Sequence, residues 1–71
     1  MKIERIRRRL SGGFRPFVIR TSDRRAYEVP HPEFIVVAPH EIGVVSKNGY
    51  VDTLAPLHIV LLRSVAARNG K

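Results

Sequence analysis

Short apolar segments that alternate with turn-forming residues constrain this chain more than any other feature. Six such segments follow one another, at residues 17–22, 25–29, 34–38, 42–46, 50–54 and 57–63. Turn-forming residues separate them at intervals of about 8–12 residues, a spacing typical of all-β folds. The clearest turn is Asn48-Gly49, the dipeptide most typical of a tight β-hairpin. The pattern predicts five or six short strands that pair antiparallel, because their connections are short.

The first ten residues predict a short helix. Ile3, Ile6 and Leu10 recur at the spacing of one helical face within residues 2–10. Ser11-Gly12-Gly13 is typical of a helix end, because glycine accepts the left-handed conformation found there. So short a helix is marginal alone in water, and its isoleucine face is therefore expected to dock on the sheet.

These elements together predict a mainly β fold. Residues 34–38 are apolar on both faces, which is typical of a central or strongly curved strand. A sheet this small is expected to curl, which also limits its exposed edges. We therefore expect an N-terminal helix followed by a five-stranded antiparallel small barrel, with the helix capping one open end.

Length and composition indicate a single domain. The chain has 71 residues and no cysteine, which excludes disulfides and thiolate metal sites. We expect one helix-capped barrel domain at residues 1–63 and a basic tail at residues 64–71, with one helical turn at 64–67. A core this small gives a thin stability margin, so self-association into a homo-oligomer is expected. No signal peptide and no apolar run of about 20 residues is visible, so a cytoplasmic protein without a membrane partner is expected.

The positive charge is concentrated in the first third of the chain. The net charge is +7, and residues 1–25 hold nine basic residues against two acidic ones. On the helix, arginines project to the side opposite the isoleucines, where they could follow a phosphate backbone. The first predicted hairpin would extend this surface. The residues predicted to contact RNA or DNA are Lys2, Arg5, Arg8, Arg9, Arg15, Arg24 and Arg25.

The alternative is a solvated basic face that binds nothing. In that case an ion pair between Glu4 and Arg8, four residues apart on the helix, is expected. Aromatic residues that could stack on bases are few, and only Tyr27 and Tyr50 are expected to be exposed.

The segment His31-Pro32-Glu33 is the part of the chain that looks most like a site. A metal site needs three or four converging ligands, and the histidines here lack such spacing. No nucleophile stands beside a plausible base, and no glycine-rich phosphate loop is present. Pro30 and Pro32 instead predict a rigid corner between two strands, with His31 held extended. The protein is accordingly expected to be no enzyme and to need no cofactor or metal.

Residues 14–62 resemble a group of small bacterial proteins of unassigned function. The shared features are Arg15-Pro16-Phe17, Asp23 with Arg25, the run from Val29 to Phe34, and Leu57-His58-Ile59. The chain departs from this group at Arg24, where the group usually has glycine, and the resemblance therefore leaves the type of turn there open. The resemblance implies a fold and no particular activity.

The predicted architecture is also similar to the Sm-like and SH3-like small barrels. In the Sm-like bacterial RNA chaperones, subunits join edge strands into rings and RNA binds around the pore and on the rim. The RNA-binding motifs of that family are not recognisable here, and fold does not imply function. Two hypotheses follow: a non-catalytic module that binds nucleic acid weakly and without sequence preference, or a protein-interaction and assembly module that binds none.

Overall fold

A computed structural model describes residues 1–65 as one helix and six strands. The helix, α1, is Ile3–Leu10. The strands, in chain order, are β1 Phe17–Thr21, β2 Ala26–Val29, β3 Ile35–Val37, β4 Ile42–Val45, β5 Val51–Leu54 and β6 Ile59–Ser64. Two short 3₁₀ turns interrupt them: the first is Pro32–Phe34, between β2 and β3, and the second is Pro56–His58, between β5 and β6.

The strands form two antiparallel sheets of three strands each, in the orders β2-β1-β6 and β3-β4-β5. The prediction of a mainly β fold with an N-terminal helix is confirmed. The prediction of a five-stranded small barrel is only partly confirmed, because residues 1–65 form six strands in two separate sheets that do not close into a barrel. The cause lies at Pro30 and Pro32, which have no amide hydrogen to donate and so cannot continue a ladder.

The corner between β2 and β3 has the predicted conformation. His31 is extended, with φ −142° and ψ 154°, and the first 3₁₀ turn follows it directly. Residues 34–38 were predicted to form a central or strongly curved strand, and the first of these alternatives is wrong for the sheet that contains β3. Strand β3 lies at the edge of its sheet, and the Val36 side chain is 66% exposed. Phe34, directly before β3, is half-buried.

The core lies between the two sheets and beneath the helix. Its buried residues are Ile6, Phe17, Ile19, Val29, Ile35, Ile42, Val44, Leu54 and Ile59. Ile6 is fully buried, and Ile3 and Leu10 pack against the same cluster. The apolar stripe of the helix therefore docks as predicted. Gly12 and Gly13 follow the helix with φ of +64° and +89°, the conformation for which glycine was expected. Residues 66–71, most of the predicted tail and part of its predicted helical turn, lie outside the described residues.

Candidate nucleic-acid interface

Hydrogen bonds attach both ends of α1 to the segment around β6. The start of the helix is bonded to the 3₁₀ turn before β6, and its last turn is bonded to the end of β6. The N-terminal amino group of Met1 donates a hydrogen bond of 2.9 Å to the carbonyl of Pro56 in the second 3₁₀ turn. At the other end, Arg9 donates a hydrogen bond of 2.7 Å to the hydroxyl of Ser64 at the end of β6. Because Ile6 is buried between these two attachments, the opposite side of the helix faces solvent.

Arg5 and Arg8 project from this solvent side, and Lys2 precedes them as the extended N-cap residue of the helix; we define these three residues as the basic face. All three side chains are exposed, and within residues 1–65 none of them forms an ion pair. The expected pair between Glu4 and Arg8 does not form within 4 Å. Glu4 in the first turn and the arginines of the last turn instead complement the helix dipole separately. The positive charges of the basic face are therefore available to a ligand.

Arg9 was predicted to belong to this face, but it has a different environment. It is half-buried, and its guanidinium lies 5.5 Å from the centre of the Phe17 ring, within the range of a cation–π contact. At about 100° per residue, position 9 lies roughly 90° from the apolar stripe, so its long side chain can fold back onto the core. The helical angle alone does not separate Arg9 from the exposed arginines, because Arg7 lies at least as near to the stripe and is exposed.

The turn between β1 and β2 carries the exposed residues Arg24 and Arg25. Arg25 forms an ion pair with Asp23, with 3.5 Å between its Nε and the carboxylate. The Tyr27 hydroxyl is the main cause that raises the pKa of Arg25, and nearby carboxylates add to it. The hydroxyl of Thr21 donates to Asp23 and is the main cause that lowers the pKa of that carboxyl. Arg24 makes no ion pair among the described residues.

The second 3₁₀ turn brings the helix and this turn to the same part of the surface. The amide of Ser22 donates a 2.8 Å hydrogen bond to the carbonyl of His58, two residues beyond the carbonyl that binds Met1. Lys2 directly follows the anchored Met1, and Arg24 lies two residues after the anchored Ser22. Arg15 is exposed at the other end of the helix, beside Pro16, whose carbonyl accepts a 3.1 Å bond from the end of β6.

His31 and His58 have separate environments, and His58 belongs to the turn that anchors Met1. The His31 ring lies 5.7 Å from the ring of Phe34, and Nδ1 of His58 lies 3.3 Å from the hydroxyl of Ser22. Within residues 1–65, no group of three or more histidine or acidic side chains is arranged to hold a metal ion.

Sequence reasoning missed a cleft between the turn of β1 and β2 and strand β5. It consists of two neighbouring cavities of about 640 and 490 Å³, and the side chains of Tyr27 and Asp52 line both. Pro30 and Phe34 line the larger cavity, and His58 lines the smaller one. Nothing in the linear pattern places Tyr27 opposite Asp52, because they belong to different sheets.

A further surface surrounds the unpaired edges of β5 and β6. Each of these strands has a partner on one side only. Leu57 in the second 3₁₀ turn is 85% exposed, while Val51 on β5 and Val60 on β6 are 64% and 59% exposed. Large apolar side chains therefore accompany two strand edges that can accept further strands.

Comparisons with protein-family models, curated proteins and solved structures give no match for this chain. Among the helices of the described residues, none has the length and apolar character required to cross a bilayer.

Proposed function

We propose that this protein is a small non-catalytic module that binds single-stranded nucleic acid without sequence preference, chiefly through the basic face. The observation that carries the proposal is the set of exposed helical cations without acidic partners. A phosphate backbone supplies regularly spaced negative charges, and cations that neutralise it release bound counterions. Arg15 and Arg24, at the two ends of this surface, lengthen the contact.

The proposal includes a view of the fold. If β2 and β3 are counted as two halves of one strand broken at Pro30–Pro32, the two sheets join into one. The order is then β6, β1, the broken strand β2/β3, β4 and β5, which makes five strands. On that count the molecule is an opened small barrel of the SH3-like or Sm-like kind. The antiparallel register of both sheets supports this count, and it leaves β5 and β6 as the two outer edges.

The test is the salt dependence of binding. Fluorescence anisotropy of a labelled oligouridine is measured between 50 and 200 mM salt. If the basic face neutralises about three phosphates, affinity falls roughly 20-fold over this range, since the slope for single strands is about −0.7 per phosphate. Binding that does not respond to salt would contradict the proposal.

A pair of matched variants locates the site. Arg5→Gln/Arg8→Gln removes two charges from the basic face, while Arg9 is left in place because it packs on Phe17. Lys47→Gln/Arg63→Gln removes two exposed charges elsewhere. We expect the first variant to lose most of its affinity, with a slope reduced by about 1.4, and the second to lose little. Equal losses in both would mean that net charge alone drives binding.

Assembly of several copies is the second candidate function. It is favoured by the unpaired edges of β5 and β6 and by the exposed side chains of Val51, Leu57 and Val60 beside them. Strand edges of this kind pair readily with other chains. Size-exclusion chromatography with light scattering, over a range of concentrations, gives the mass directly, and a monomer at every concentration would remove this candidate.

A further inference from the structure

The cleft at Tyr27 and Asp52 has the size and lining of a ligand site. Each of its two cavities falls within the range of about 300–1,000 Å³ typical of small-molecule pockets. Both are open to solvent along the seam between the two sheets. At the second 3₁₀ turn the cleft reaches the part of the surface where Met1, and with it the start of the basic face, is anchored.

Asp52 supplies an unused acceptor in this cleft. Asp52 is half-buried, and within residues 1–65 its carboxylate makes no ion pair within 4 Å, although its charge helps to raise the pKa of Arg25. Asp23, at the mouth of the same cavity, is in contrast engaged by Thr21 and by the backbone and side chain of Arg25. An ionised carboxylate accepts hydrogen bonds and donates none, so Asp52 selects a ligand with donors.

Arg25 and Tyr27 complete the set of contacts. The ion pair of Arg25 involves its Nε atom, and Tyr27 is a further hydrogen-bonding neighbour of its guanidinium. A guanidinium has five N–H donors, so these two contacts leave donors for an acceptor in the cleft. The Tyr27 ring is half-buried and lines both cavities, where a planar group can stack against it. The cleft therefore combines an acceptor, a donor and an aromatic surface.

We propose that this cleft binds one unpaired guanine base of a single strand, with its Watson–Crick edge toward Asp52 and its O6 atom toward Arg25. Guanine presents two adjacent donors, N1–H and the N2 amino group, beside the O6 acceptor. Adenine and cytosine place a ring acceptor beside their amino group, which a carboxylate repels, and uracil has one donor between two acceptors. Only an unpaired base offers this edge, as is usual in recognition of single strands.

The inference rests on the proposed function in one respect, because the strand that supplies the base is the one held by the basic face. The contact of the basic face is independent of sequence, and the cleft adds a preference at one nucleotide only. The probes are two labelled nine-residue RNAs that differ only at the centre, with guanine or adenine between runs of uridine. We expect the guanine strand to bind roughly 10-fold more tightly, in line with the discrimination of a good bidentate contact. Equal affinities would overturn the inference.

The Asp52→Asn variant tests the assigned residue. It keeps the size of the side chain but replaces one acceptor with a donor, so the preference for guanine should vanish while the affinity for oligouridine stays within a factor of two. Glu33→Gln, an exposed residue in the first 3₁₀ turn, makes the same change of charge and should leave the preference intact. A preference that survives Asp52→Asn in a variant with wild-type thermal unfolding would overturn the assignment.

Free mononucleotides separate this inference from the proposed function. Guanosine and adenosine monophosphates are titrated into the ¹⁵N-labelled protein and followed by NMR. Shifts around Tyr27 and Asp52 with the guanine nucleotide alone support the cleft even if no oligonucleotide binds. Salt-dependent oligonucleotide binding without any guanine preference supports the basic face and overturns the cleft.

Discussion

Arg24 occupies a backbone conformation that suits glycine. Its φ is +69°, and it is the one non-glycine residue among the described residues with a positive φ. The position lies in the turn between β1 and β2, where the amide of Arg24 donates a 3.1 Å bond to the carbonyl of Thr21. The turn therefore holds Arg24 in this conformation despite its Cβ atom. Replacing Arg24 with glycine should stabilise the protein.

The expected gain is the difference between two opposing effects. A residue with a Cβ atom in the left-handed region costs about 1–2 kcal/mol. Glycine removes this cost but adds about 0.4–1 kcal/mol through the greater freedom of the unfolded chain. From the middle of each range, the net increase in the free energy of unfolding is about 0.8 kcal/mol. For a domain of this length 1 kcal/mol raises Tm by about 4–8 °C, so we expect a rise of roughly 3–6 °C.

The assay is thermal unfolding followed by circular dichroism, with two control variants. Arg24→Ala removes the same charge but keeps the Cβ atom, so it should gain little. Arg15→Gly removes a charge at an exposed position whose φ is not positive, so it should be destabilising. If Arg24→Ala stabilises as much as Arg24→Gly, relief of charge repulsion is the cause and the conformational argument is refuted.

Two further predictions concern acid stability and assembly. The folded state lowers the pKa of Asp23 from 3.8, so its contribution to stability is present above that value and is lost as the pH falls through the folded pKa. Urea unfolding between pH 5 and pH 2 should therefore depend less on pH in Asp23→Asn, and an unchanged dependence would contradict the role given to the Thr21 hydroxyl. If copies assemble through the edges of β5 and β6, Leu57→Asp should reduce the mass found by light scattering, whereas Val36→Asp on β3 should leave it unchanged.

Local patterns predicted the elements of this fold well. The stripe of Ile3, Ile6 and Leu10 identified the buried side of α1, because helical spacing alone determines which residues share a face. The dipeptide Asn48-Gly49 identified a hairpin, and Gly49 has the positive φ of +87° that such a turn requires. In both cases the information lies within a few residues of sequence.

The position of a strand within its sheet and the neighbours of a side chain across the two sheets were harder to predict. Residues 34–38 are apolar on both faces, and this pattern could not distinguish a central strand from an edge strand with an exposed Val36. On β5, Asp52 shares a face with the buried Leu54 while Val51 and Thr53 are exposed, and no prediction was made for the side that Asp52 faces. What sequence alone could not supply is the neighbour that faces it, Tyr27 of the other sheet.

The corner at Pro30 and Pro32 connects these observations. Each proline removes a donor from the ladder, so β2 cannot continue into β3 and the two sheets separate along this seam. Pro30 itself lines the larger cavity of the cleft that opens there. A single unbroken strand would have extended the ladder toward β4 and filled this space with paired backbone. In the proposed function this segment would act indirectly: His31 is extended and does not line the cleft, although its ring lies 5.7 Å from that of Phe34, and Pro30 borders the space in which Tyr27 and Asp52 would meet the proposed ligand.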